Sequence, residues 1–369
     1  MLRSMYAGIS GMKNFQTKLD VIGNNIANVN TSGFKKSTVT FQEMMSQTTS
    51  PAQGATETKG GVNASQVGLG SQLGSISNIQ TEGFRQTTNN PLDFSIEGDG
   101  MFVVASNLVY QDEESPDGLG SLVESSVELG ESSLSYTRSG NFYLDDGGNI
   151  VNSQGLYLIG NKADIDGDAI VLGNNGELYS VDRDGNLYEV QYVDYEGNVL
   201  EVEADDAGNL SVGDDEIDST QIILSKVDDT PDTPDGDDFE YDYLFSPINI
   251  PSNAQSFSVQ TNGTVNYIAS NGSTQVAGRV GIASFSNTAG LQKVGNNLFL
   301  NSENAGYNGI FPGEINSTGS IVSGSVEMSN VDLAEEFTEM ITAQRGFQAN
   351  TRIITTSDEI LQELVNLKR

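Results

Sequence analysis

Three residue types are missing altogether: the 369-residue chain has no cysteine, no histidine and no tryptophan. Without cysteine there is no disulfide staple, no thiolate nucleophile and no zinc–thiolate site. Without histidine there is no Ser-His-Asp arrangement and no imidazole to bind metal or move protons. What remains for an enzyme is carboxylate chemistry of the glycosidase kind, and the tryptophan face on which a sugar cleft usually stacks its substrate is absent too. The reading is therefore of a non-enzymatic protein, with no catalytic residue, no cofactor and no metal site assigned. Basic charge is also scarce. Seventeen Lys and Arg stand against 51 Asp and Glu, giving a net charge of −34 and a pI near 4.1, so nucleic acid and anionic membranes are repelled. No apolar run approaches the ~20 residues that span a bilayer, and no basic segment followed by an apolar stretch opens the chain. Membrane insertion is not expected, and export is expected by a route that keeps the N-terminus.

What is present is organised from the two ends inward, and the length suits two or three domains that each bury a core. Leu2, Met5, Ile9, Met12, Leu19 and Ile26 fall on a three-four spacing, widened by Phe15 and Ile22, which predicts an amphipathic helix. Gly8, Gly11 and Gly23 each cost it up to ~1 kcal/mol relative to alanine, so it needs a partner face. At the other end Leu333, Phe337, Met340, Phe347, Ile354, Leu361 and Val365 follow a heptad-like spacing over a ~37-residue run, about ten turns of helix. Asn330 or Asp332 is placed to cap it, with Glu335 and Glu336 in the first turn. Residues 1–36 carry five bases and one acid, whereas residues 331–369 carry seven acids and four bases. Opposite charge on two helical ends sets register and orientation more than affinity.

Between the ends the pattern changes to short alternating stretches with Asp, Asn and Gly at the joins, a β-rich middle. Five joins share one form: Asp145 to Asn149, Asn174 to Gly176, Asp182 to Asn186, Asp194 to Asn198 and Asp205 to Asn209. Each reads as a hairpin with glycine at a left-handed position. Asp164 to Asp168 and Asp182 to Asn186 also resemble calcium loops, but neither continues into the twelve-residue EF-hand pattern, and repeated turns explain the same letters. Residues 164–245 hold 25 acids against Arg183 and Lys226, so most of the acidity belongs to this stretch, read as a separate surface module. A second acidic insertion, 106–135, has seven acids and no base.

Residues Leu19 to Lys35 contain Asn24, Asn25, Ala27, Asn28, Gly33 and Phe34 in an arrangement that resembles the N-terminal signature of the flagellar rod and hook proteins. There the Asn-rich run and Gly33 end the helix and Phe34 anchors the chain after the turn. Leu92 to Val104, and Tyr136 through Gly155, are similar to the inner β domain of that family. Ser329 to Leu333, with Asn330 and Asp332, and Met340 to Asn350, with Gln344 and Arg345, resemble its C-terminal signature, closed by Ile360 to Leu367. The resemblance implies a mainly β, multi-domain protein with paired N- and C-terminal α-helices and discontinuous, barrel- or sandwich-like inner and outer domains. The expected division is a helical domain (1–33 with 330–369), a connecting region (34–75), an inner β domain (76–160 with 246–329) and an acidic outer domain (161–245).

Within the family, the 161–245 module favours hook over distal rod, and the Ser46–Ser75 stretch resembles the connecting region by which hook and rod subunits differ. The function implied is that of a hook subunit, polymerising into an extracellular tube whose inner wall is made by the terminal helices. Its implied partners are further copies of itself, the distal rod, the hook cap, the hook–filament junction proteins and the flagellar export apparatus. The distal rod, a secreted acidic calcium-binding adhesin and an acidic glycosidase are the alternatives.

Overall fold

The computed structural model describes residues 2–54, 59–108, 132–161, 245–270, 272–315 and 318–367, together with the backbone of the strands Ala169–Gly173, Leu178–Val181, Leu187–Val193, Glu203–Ala204, Leu210–Val212, Asp215–Glu216, Gln221–Lys226 and Tyr241–Tyr243. The chain divides into two compact units, Met1–Gly83 with Ser329–Arg369, and Phe84–Met328. The first unit is therefore discontinuous and closes the two chain ends on each other. The fold is mainly β, with a helix at each end.

The first unit holds α1 (Leu2–Ala27), four strands, β1 (Ser37–Glu43), β2 (Ser46–Ser50), β3 (Ser65–Gly68) and β4 (Ser71–Asn78), and α2 (Leu333–Leu367). After α1 the chain turns through Asn28 and Thr31, whose side chains bond Asn24 O (2.9 Å) and Asn28 Oδ1 (3.1 Å). Gly33 follows at φ +69°, a left-handed conformation that glycine adopts without Cβ strain. The stretch read as a connecting region is largely an antiparallel ribbon in two stages. β1 pairs with β4 from Ser37↔Asn78 to Glu43↔Ser71, and β2 pairs with β3 from Ser46↔Gly68. Every residue of β2 and β3 is exposed.

α2 is opened by Asp332, whose Oδ1 accepts the backbone N–H of Ala334 (2.8 Å) and of Glu335 (3.4 Å). Of the two capping residues considered, Asp332 takes that role; Asn330 ties the strands together instead.

The second unit is built on one antiparallel sheet. In order, its main path runs through Ser256–Val259, Thr264–Ile268, Thr274–Phe285, Tyr157–Asn161, Met101–Ser106, Ser133–Thr137, Leu298–Leu300 and Gln292–Gly295. Strand side chains alternate between faces, and both faces are covered here. Phe102 and Val104 enter a core with Phe94, Phe142, Ile150, Leu158, Ile248 and Ile282, while Met101, Val103 and Ala105 enter another with Tyr136, Ile159, Phe299 and Ile310. The described Asp145–Asn149 join is the expected hairpin, linking Phe142–Leu144 to Ile150–Asn152 with Gly148 at φ +84°. The other four joins, both calcium-like loops and most of the 106–135 insertion lie outside the described residues.

A buried ion pair fixes part of this unit. Arg138 lies 3.2 Å from Glu327 and also donates to Ile96 O and Gly98 O. Within the acidic stretch, Gln221–Lys226, Leu187–Val193, Leu178–Val181, Ala169–Gly173 and Tyr241–Tyr243 form, in that order, a separate five-stranded antiparallel sheet.

Candidate assembly interface

The first unit brings the two helical ends together antiparallel. Asn25 meets Glu336, Lys18 meets Glu339, Phe15 meets Gly346 and Gly8 meets Ile354. The opposite charges of the ends are realised in two ion pairs, Lys18–Glu339 (3.1 Å) and Lys36–Glu335 (2.7 Å). Their partly exposed carboxylates limit each to about 1 kcal/mol or less, enough to favour one register.

The glycines that weaken the helices also let them approach. A Cβ on Gly346 would sit 2.6–2.9 Å from the Phe15 ring, one on Gly11 2.8 Å from Asn350 Nδ2, and one on Gly8 3.3 Å from Ile354 Cγ1. Gly23 differs, because a Cβ there meets nothing within 4 Å.

α2 meets α1 along a heptad seam that alternates Glu336, Ala343, Asn350 and Ser357 with Met340, Phe347, Ile354 and Leu361. The predicted residues Met340, Phe347, Ile354 and Leu361 lie on it, half-buried. On α1, Ile22 is buried and Met5, Ile9, Met12, Leu19 and Ile26 are half-buried; Leu2 begins the helix. The structure does not bring Leu333, Phe337 and Val365 to this seam: they are 40%, 49% and 67% exposed. At 3.6 residues per turn Phe337 is rotated about 60° from Met340, whereas Leu333 keeps the phase of Met340 and Phe347 but precedes Glu336, which already faces Asn25 two residues before α1 ends at Ala27. Val365 lies beyond the reach of α1, which is already at Gly8 opposite Ile354.

A polar knot missed by apolar spacing closes the N-terminal end of α2. Asn25 is buried, and its Nδ2 donates to Glu336 Oε1 and Oε2 (both 3.2 Å) and to Ser37 O (2.9 Å). Its Oδ1 accepts the Ser37 N–H at 3.0 Å. One asparagine thus joins α1, α2 and β1. Asn330 works likewise, accepting Lys36 N–H (2.8 Å) and donating to Ile79 O (2.9 Å) and Thr81 Oγ1 (3.0 Å). The buried Lys35 ammonium donates to Thr81 O at 2.7 Å.

Burial pushes the Glu336 carboxyl above its ordinary value, while donation from Asn25 acts the other way. The heptad spacing of Glu336, Ala343, Asn350 and Ser357 could have revealed the seam, but small and polar residues carry no hydrophobic signal. Of the remaining signature residues, Asn24, Ala27, Gln344 and Arg345 are exposed, Asn28 and Phe34 half-buried and Gly33 buried.

The two chain ends are thus zipped by glycine and polar contacts, with apolar side chains still exposed along one helix. Among the described residues no group of His, Cys, Asp and Glu is arranged to hold a metal ion. No described helix is long and apolar enough to cross a membrane.

The chain belongs to the flagellar rod and hook protein family. The model of the flagella basal body rod protein matches residues 5–35, that of the flagellar basal body rod FlgEFG protein C-terminal region matches 322–367, and that of the flagellar hook protein FlgE/F/G D1 domain matches 126–189. The first falls on the helical unit, the second begins in the last strands of the β unit and runs through α2, and the third runs into the first strands of the acidic stretch. Flagellar basal-body rod protein FlgG of Bacillus subtilis is 40% identical over 371 residues, and flagellar hook protein FlgE of Borreliella burgdorferi is 31% identical over 466, each covering 100% of both chains. Flagellar hook protein FlgE of Escherichia coli is 27% identical over 436 residues, covering 98% of each.

Proposed function

We propose that the chain is the repeating subunit of the flagellar hook, forming a tubular homopolymer outside the cell through its terminal helices. The observation that carries this reading is the separate five-stranded sheet inserted between Tyr157–Asn161 and Phe245–Pro247, the position at which the family's hook proteins carry an outer domain. A hook bends while it turns, so neighbouring outer domains must slide, and a polar, hydrated and strongly acidic surface suits sliding better than an apolar one. Further copies of the chain are its main partners. The distal rod, the hook cap, the junction proteins and the export apparatus are the other expected contacts.

A distal-rod subunit is the second reading. It is favoured by the relatives: alignment with the B. subtilis rod protein spans 371 positions, whereas alignment with the Borreliella hook protein spans 466, so that hook protein carries residues with no counterpart here. Electron microscopy of polymer grown from the purified full chain separates the two. Curved, bendable tubes support the hook, short straight cylinders the rod, and no polymer under any assembly condition removes both.

A further inference from the structure

α2 carries a second apolar seam. Ala349, Ile353, Thr356, Ile360, Leu364 and Leu367 recur at three- and four-residue steps, all are exposed, and the row lies one residue ahead of Asn350, Ile354, Ser357 and Leu361, which face α1. A helix with two adjacent heptad rows is built to pack against two helices. Among the described residues α1 packs on the first row and touches the second at Ile353, whose Cγ2 would lie 3.8 Å from a Cβ on Gly8 and whose side chain stays 44% exposed.

The outer face of α1 has a matching pattern. Tyr6, Lys13, Asp20 and Ala27 recur every seven residues, joined by Gln16 and Gly23, and all six are exposed. Beside the second seam of α2 stand exposed Arg352 and Glu359, also seven residues apart. Among the described residues none of Lys13, Asp20, Arg352 and Glu359 is held in an ion pair within the chain.

We propose, resting on the polymer reading above, that the second seam of α2 receives the outer face of α1 from a second copy, antiparallel, with Lys13 against Glu359 and Asp20 against Arg352. A parallel arrangement at the same level sets Lys13 against Arg352 and Asp20 against Glu359, and like charges in contact are strongly disfavoured. The antiparallel register also places Tyr6, 69% exposed, beside Leu364 and Leu367. It sets Gly23 opposite Ala349, giving a close small-to-small approach at the one α1 glycine that the chain's own packing leaves unexplained. Relative to the pairing within the chain, the second copy is displaced by about 11 residues, roughly 16 Å along the helix. Such a contact is heterologous and leaves one face of each kind free at the ends, so it propagates instead of closing into a dimer.

The test is a charge-reversal cycle in the full chain, read by the critical concentration for polymerisation. Lys13→Glu and Glu359→Lys should each raise it about tenfold or more, and the double variant should return it to within about threefold of the unaltered chain. Asp20→Arg with Arg352→Asp repeats the cycle independently. Thermal melts report folding, and the four exposed side chains should leave them nearly unchanged. Gly23→Leu should raise the melting temperature and still block polymerisation. If the unaltered chain polymerises but neither double variant recovers, or if Gly23→Leu polymerises normally, this contact is wrong and the polymer reading stands. A chain that never polymerises sinks both.

Discussion

Replacing Gly346 by alanine tests the closeness of the helix pair most directly. In an exposed helix interior, glycine to alanine stabilises by about 1 kcal/mol. At Gly346 the new methyl would lie 2.6–2.9 Å from three atoms of the Phe15 ring. That ring is not free to swing, because it meets Phe41 of β1 edge-on at a centroid distance of 6.1 Å. Forcing such a core contact apart costs about 1–3 kcal/mol, so the net change runs from about zero to 2 kcal/mol of destabilisation. Gly23→Ala is the internal control, since its Cβ enters open space and should gain the full ~1 kcal/mol. The same chemical change is thus expected to act in opposite directions at two positions. For a unit of this size 1 kcal/mol corresponds to about 4 °C, so the two variants should melt about 4–12 °C apart by far-ultraviolet circular dichroism. Equal stabilisation by both would show that α1 and α2 do not approach as described.

Asn25→Ala removes the donor to a buried carboxylate and both bonds to Ser37, and should destabilise the helical unit by about 2–3 kcal/mol in urea unfolding. The Glu336 carboxyl, pushed up mainly by burial, favours its neutral form when folded. Its contribution to stability is complete below the ordinary carboxylate range and is lost as pH rises through the raised folded value. Stability of the unaltered chain relative to Glu336→Gln should therefore fall across that window, and a flat or rising difference between the two melts refutes the shift. Arg138→Met strands Glu327 in the β body and should cost about 3–5 kcal/mol, most of it recovered in the Arg138→Met/Glu327→Leu double variant. Phe347→Asp places a charge in the α1–α2 seam and should abolish tube formation in negative-stain micrographs while the near-ultraviolet signal of the β body persists.

The sequence by itself determined the kind of protein. The signature residues from Leu19 to Lys35 and from Met340 to Asn350 pointed to the family, three-four spacing located both helices, and Asp332 with Glu335 and Glu336 marked where α2 begins. Those features were legible because capping and amphipathic spacing are local. What only the tertiary structure decided is which residues of the helices touch. Glu336, Asn350 and Ser357 lie on the seam because Asn25, Gly11 and the close approach of α1 accommodate them. Leu333, Phe337 and Val365, apolar and suitably spaced by eye, lie off it because helical rotation carries Phe337 away and the finite length of α1 leaves Leu333 and Val365 beyond its two ends. The glycines show the same division. In the sequence Gly8, Gly11 and Gly346 are only weaknesses in a helix, and their role as contact points exists only when a second helix, distant in the chain, lies against them.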